Sequence, residues 1–168
     1  LKASAGLYHQ SARDAWRVPT LQAEEAVHLT AGVERHIWEA LSLNLEVFYK
    51  DLKNLIVSPD TLQLGADGNL NRPDPALTNS GSGRVYGVEL LLRHNLSRNF
   101  FGWVGYTLSR SERRNNAGQP YTLFDFDQTH LLSVVASYQL PYHWDLSAAF
   151  RLASGNPASA ETMIAKLG

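Results

Sequence analysis

The chain has 168 residues, of which 44% are hydrophobic and 18% charged, a composition that fits one folded domain of ordinary size. With 15 basic and 16 acidic residues the formal charge is -1, so there is no basic excess of the kind a nucleic-acid surface needs. The absence of cysteine excludes disulfides, thiolate metal sites and a cysteine nucleophile.

Mean hydropathy is -0.24, and no stretch approaches the roughly 18 to 20 consecutive apolar residues of a membrane helix. Membrane-crossing strands remain open, because each needs only about 9 to 11 residues and shows lipid only alternate side chains. Residues 1–10 lack the charged start, apolar centre and cleavage site of a signal peptide, and read as the interior of a domain.

The first expected strand covers Lys2 to His9, followed by a polar loop over 10–22. Next, Val27, Leu29, Ala31 and Val33 alternate with His28, Thr30, Gly32 and Glu34, the period that puts the two sets on opposite faces of a strand. After a short turn at 36–40, Leu41, Leu43, Leu45, Val47 and Tyr49 oppose Ser42, Asn44 and Glu46. This run continues to Val57, with a bulge expected where Leu52 and Leu55 break phase. A long loop over 58–83 precedes Tyr86, Val88, Leu90 and Leu92, which oppose Gly87, Glu89 and Arg93.

A short turn at 96–99 leads to Val104, Tyr106 and Leu108, set against Trp103, Gly105, Thr107 and Ser109. The loop over 111–126 is followed by Leu132, Val134, Ala136, Tyr138 and Leu140. A tight turn at 141–143 then gives Trp144, Leu146, Ala148, Phe150 and Leu152, opposed by Asp145, Ser147 and Arg151. The total is about seven strands over residues 1–157, with a tail at 158–168 in which the alternation is lost.

Short and long connections alternate, so a meander gathers all short turns at one end of the sheet and all long loops at the other. Outer-membrane barrels have this layout. Trp38, Phe100, Phe101, Trp103, Tyr138, Tyr142 and Trp144 cluster at the short-turn end, as an interfacial girdle would. The expected fold is therefore all-β: an antiparallel up-and-down meander of about seven strands from an unclosed transmembrane β-barrel. Ala31-Gly-Val-Glu-Arg-His36 and Tyr86-Gly-Val-Glu89 echo one another on strands expected to run the same way.

Five segments resemble the C-terminal barrel portion of TonB-dependent receptors: Gly6-Leu-Tyr-His-Gln10; Ala23-Glu-Glu-Ala-Val-His-Leu29 leading to Gly32-Val-Glu34; Phe48-Tyr-Lys-Asp-Leu-Lys-Asn-Leu-Ile56; Asn79 with Gly83-Arg-Val-Tyr-Gly-Val-Glu-Leu90; and Gly102-Trp-Val-Gly-Tyr-Thr-Leu-Ser109. The resemblance implies the outer membrane of a Gram-negative cell, and a barrel of about 22 strands around an N-terminal plug. It further implies uptake of a scarce ligand such as a ferric siderophore, cobalamin or a glycan. The implied partners are outer-membrane lipid and lipopolysaccharide, the plug and the remaining strands; TonB would be reached only through a segment outside these residues.

Polar residues on strands avoid lipid, so Glu34, Glu89 and Arg93 are expected to face the lumen, where they can pair with one another or with a plug. Trp16, Arg110, Arg113, Arg114 and Tyr121 are the expected extracellular-loop ligand contacts. Among them the Arg110-Ser-Glu-Arg-Arg114 run suits an anionic ligand or a lipopolysaccharide phosphate. Asp125-Phe-Asp-Gln-Thr-His130 matches no ligand spacing and reads as a polar loop-to-strand junction. No cofactor, metal site or catalytic constellation is expected, and the chain does not read as an enzyme. Two alternatives share the alternation: a porin or other outer-membrane barrel, and a soluble β-sandwich binding carbohydrate through Trp16, Tyr121 and Phe124.

Overall fold

The computed structural model describes residues 1–12, 18–58, 63–64, 70–71 and 77–157. Seven long strands follow one another in a single antiparallel sheet: β1 (Lys2–Gln10), β2 (Glu24–His36), β3 (Leu41–Val57), β6 (Thr78–Ser97), β7 (Phe100–Arg114), β9 (His130–Leu140) and β10 (Trp144–Ala153). Three two-residue strands fall in the long connections. β4 (Gln63–Leu64) pairs with β5 (Leu70–Asn71), and β8 (Thr122–Leu123) pairs with β7. Each long strand pairs with the next, and the order β1-β2-β3-β6-β7-β9-β10 contains no crossover. Among the described residues β1 and β10 each have one neighbour, so the sheet is not closed.

The register carries the sequence alternation across the whole sheet. One face receives Val27, Leu29, Ala31 and Val33 of β2, which pair with Asp51, Tyr49, Val47 and Leu45. Tyr49, Val47, Leu45 and Leu43 pair in turn with Tyr86, Val88, Leu90 and Leu92. The same face continues through Leu108, Tyr106 and Val104 to His130, Leu132 and Val134, and on to Phe150 and Leu152. A slip of one residue would move a strand's whole apolar set to the other side, and none occurs within these apolar pairs; the register shifts only beyond them, after Leu52 in β3–β6 and after His94 in β6–β7.

Among the described residues this apolar face has no protein cover. Leu29 is 47% exposed, Val47 48% and Phe150 58%, whereas Leu55 is the only buried hydrophobic side chain among the described residues. A sandwich would need a second sheet against this face. Among the described residues the only other sheet is the two-residue β4–β5 pair.

Two strands are longer than the alternation indicates. β6 starts at Thr78, inside the expected 58–83 loop, and β7 runs to Arg114, past the expected loop start at 111. The extension is polar, yet it pairs in register: Ser82 with Arg114, Gly83 with Arg113 and Arg84 with Glu112. Backbone pairing continues where the side chains no longer need to alternate, so a hydrophobic pattern underestimates the strand.

The expected bulge is present. The β3–β6 register shifts between Leu52 and Leu55, and Asn54 takes φ 56°, a left-handed conformation that Asn tolerates better than most side chains. At the short-turn end Arg98 has φ 56°, and Tyr142 and His143 have φ 65° and 64°. There the Asn95 amide donates to the Ala40 carbonyl at 2.7 Å, and the Gln139 amide donates to the Asn99 carbonyl at 2.8 Å, which ties neighbouring turns into one rim. No helix among the described residues is long and apolar enough to cross a membrane.

Candidate functional site

The polar face and the loop-end rim carry the chemistry, and the register decides which residue belongs to which. Glu34, Glu89 and Arg93 all lie on the face opposite the apolar set. Glu34 sits across from Asn44, Glu89 from Glu46 and Thr107, and Arg93 from Ser42 and Trp103. All three are exposed, and among the described residues no ion pair joins them.

The ion pair that does form on this face is Lys2 Nζ to Glu46 Oε2 at 3.0 Å, reaching from β1 to β3 across β2. Gly32 lies between them, and a Cβ there would stand 2.8 Å from the Leu45 carbonyl oxygen and 3.1 Å from Lys2 Cε. The small residue is what lets the lysine pass. The sequence shows Lys2, Gly32 and Glu46 in the correct phase, but only the strand order brings the first and last together. An open cavity of about 350 Å³ on this face is lined in part by Glu46, Glu89, Trp103, Thr107 and Arg151.

At the loop end a small buried core anchors the connections. The Asp127 side chain, 3% exposed, accepts from the Ser111 amide at 2.6 Å and from Thr129 Oγ1 at 2.8 Å. β9 starts only at His130, so Asp127 belongs to the junction before the strand and works as a loop clamp. Asn79 accepts from the Gln22 amide at 2.8 Å and donates to the carbonyls of Gln22 and Asn54 at 3.0 and 2.7 Å. One side chain thereby joins the connection before β2, the β3 bulge and the start of β6. Among the described residues no group of three His, Asp or Glu could hold a metal ion.

The arginine run at 110–114 stands on strand β7 rather than in a loop, so its members point to different faces. Arg113 pairs across to Gly83 on the polar side, and its guanidinium Cζ stacks 3.7 Å from the Phe124 ring centroid. Arg110 and Arg114 take the apolar side of the strand, opposite Tyr86 and Ser82. Arg84, which pattern reading passed over, joins them there: its Nε donates to Glu112 Oε2 at 2.6 Å while Arg110 Nε donates to Oε1 at 2.8 Å. Tyr121 places its ring 4.5 Å from Arg84 Cζ and 4.6 Å from Arg114 Cζ. Trp16 lies outside the described residues.

The aromatic girdle also divides. Phe100, Tyr138 and Trp144 share the apolar face at the short-turn end, whereas Phe101 and Trp103 face the polar side. A second set, Tyr49 and Tyr86, closes the apolar face at the loop end, with Tyr106 two pairs nearer the middle of the sheet. Its signal was present in the sequence as tyrosines in the same phase near the loops.

A family model described as TonB dependent receptor-like, beta-barrel matches residues 4–163. No curated protein matches the chain.

Proposed function

Because the chain belongs to the TonB-dependent receptor-like β-barrel family, we propose that its sheet is a stretch of receptor wall, with lipid against the apolar face and the lumen behind the polar one. The family is one of outer-membrane receptors and transporters, not of enzymes. Uptake of a scarce ligand such as a ferric siderophore, cobalamin or a glycan is the activity to which this wall contributes. Glu34, Glu89 and Arg93 then meet the plug or lumen water, and TonB acts through the plug side.

One observation carries the reading: the apolar face is uncovered and ends in aromatics at both rims. From Phe100 to Arg110 the strand advances about 33 Å, which at the roughly 40° tilt of membrane barrels is about 25 Å of height, the thickness of their apolar band. A porin wall would share this band, but the family match favours the receptor. The soluble sandwich has neither a second layer among the described residues nor the family in its favour.

The test uses the lack of cysteine in residues 1–168, with any cysteine elsewhere in the full-length protein first replaced by serine. In the full-length protein folded into liposomes, single cysteines at positions 47, 88 and 134 are labelled with an environment-sensitive dye, and so are 46, 89 and 135. Brominated lipid should quench the first set and spare the second. Equal quenching of both sets would remove the lipid-facing assignment.

A further inference from the structure

On the apolar side of the β6–β7 hairpin the successive pairs toward the loop end are Leu90–Tyr106, Val88–Leu108, Tyr86–Arg110, Arg84–Glu112 and Ser82–Arg114. Each step advances about 7 Å along the strand. Within three steps beyond Leu108 the side chains change from hydrocarbon to guanidinium. Given the receptor-wall reading, on which this inference rests, that change falls at headgroup level in the outer leaflet.

The arginines are held in place rather than loose. Glu112, 6% exposed, spends one carboxylate oxygen on the Nε of Arg84 and the other on the Nε of Arg110. This fixes two guanidinium groups side by side with their Nε edges used. Among the described residues nothing bonds the terminal Nη atoms of either, and their side chains are 40% and 52% exposed. Arg114 donates from Nε to Ser82 Oγ at 2.7 Å, and Tyr121 packs between the Arg84 and Arg114 guanidiniums. Arg84, Arg110, Arg114 and Lys53 face two carboxylates here, Glu112 and the Asp51 that pairs across from Arg84 and bonds Lys53, which leaves two positive charges in excess on a short stretch of rim. Like charges repel, so such an arrangement gains stability when an anion with several oxygens lies across it. Planar guanidiniums suit phosphate because they bond it two oxygens at a time.

We propose that Arg84, Arg110 and Arg114 form a docking site for the phosphates of an outer-leaflet phosphorylated glycolipid, such as lipopolysaccharide. Tyr86 and Leu108 would lie against its acyl chains. Arg113, though inside the same run, takes no part because it points to the other side of the sheet and stacks on Phe124.

The experiment titrates the folded full-length protein in detergent with bisphosphorylated lipid A, with fully dephosphorylated lipid A and with inorganic phosphate, reading bound lipid by native mass spectrometry. The triple change Arg84→Gln, Arg110→Gln and Arg114→Gln should weaken lipid A binding by at least about tenfold, since each charge-assisted bond lost is a strong one. The dephosphorylated lipid should bind wild type no better than the triple variant, and Arg113→Gln should bind like wild type. If the triple variant does not fold, Arg110→Gln alone leaves Glu112 its Arg84 partner and should still lower affinity by a few-fold. Unchanged lipid A binding in a folded variant would overturn the proposal. So would inorganic phosphate that saturates the site and displaces the lipid at equal concentration, since the ligand would then be a free anion. If the brominated-lipid pattern holds and lipid A binding does not respond, this inference fails while the wall reading stands.

Discussion

Asp127 shows how one side chain can organise a junction in a sheet that has almost no core. Its carboxylate bonds the Ser111 amide on β7 and the Thr129 hydroxyl just ahead of β9. With 3% exposure it has little water to replace either partner. Asp127→Ala should therefore lower unfolding free energy by about 1 to 3 kcal/mol, the usual cost of leaving buried donors unpaired. Urea unfolding of the folded full-length protein checks this, and a change indistinguishable from wild type would show that the clamp is not needed. Asn79 does comparable work at the β2–β3–β6 corner, where two hydrogen bonds hold Gln22 and a third holds the carbonyl of the left-handed bulge residue Asn54.

For the strands, the property that matters is phase. Val88 lies between Val47 and Leu108 on the apolar face, and Glu89, its neighbour in sequence, lies between Glu46 and Thr107 on the other. Near the bilayer midplane a lipid-facing arginine costs roughly 2 to 4 kcal/mol. Val88→Arg and Val134→Arg should each lose an amount in that range in folding titrations into lipid vesicles. Glu89→Arg should not, because it trades one lumen charge for another and ends the like-charge opposition to Glu46. Losses of equal size at positions 88 and 89 would show that the faces are not chemically distinct. The polar ends of β6 and β7, beyond the apolar band, follow a different rule: the backbone ladder and cross-strand side-chain bonds such as Arg84 to Glu112 and Arg114 to Ser82 keep the strands paired.

At the level of the molecule, two unpaired edges and one uncovered apolar face define what the sheet needs around it. β1 and β10 each lack a second neighbour among the described residues, and large side chains such as Leu146 (64% exposed) and Trp144 (71%) stand free. Edges of this kind recruit other strands, and a contiguous apolar surface of this size is foreign to soluble monomers. Expressed by itself, residues 1–168 should aggregate in buffer and stay dispersed, with β-rich circular dichroism, only in detergent. Analytical ultracentrifugation showing a detergent-free monomer would contradict that. Within a complete barrel both edges are satisfied and lipid covers the face, so the same residues become stable.

The number of long strands, the phase of the six that follow β1, the grouping of short turns and long loops, and the bulge near Asn54 were all determined by the sequence itself. Each is a local property: a two-residue period, a break in it, or a cluster of turn-forming residues. Because the family's motifs lie along the strands in that order, the family was legible as well. Only the tertiary structure decided which residues from different strands meet. Lys2 and Glu46 are 44 positions apart, and Arg84 and Glu112 are 28 apart, yet the register brings each pair into contact. The same register divided Arg113 from Arg110 and Arg114, and Trp103 from Phe100. A one-residue step reverses the face of a strand, and where the apolar alternation stops, as it does at the polar ends of β6 and β7, only backbone pairing records which way a side chain points.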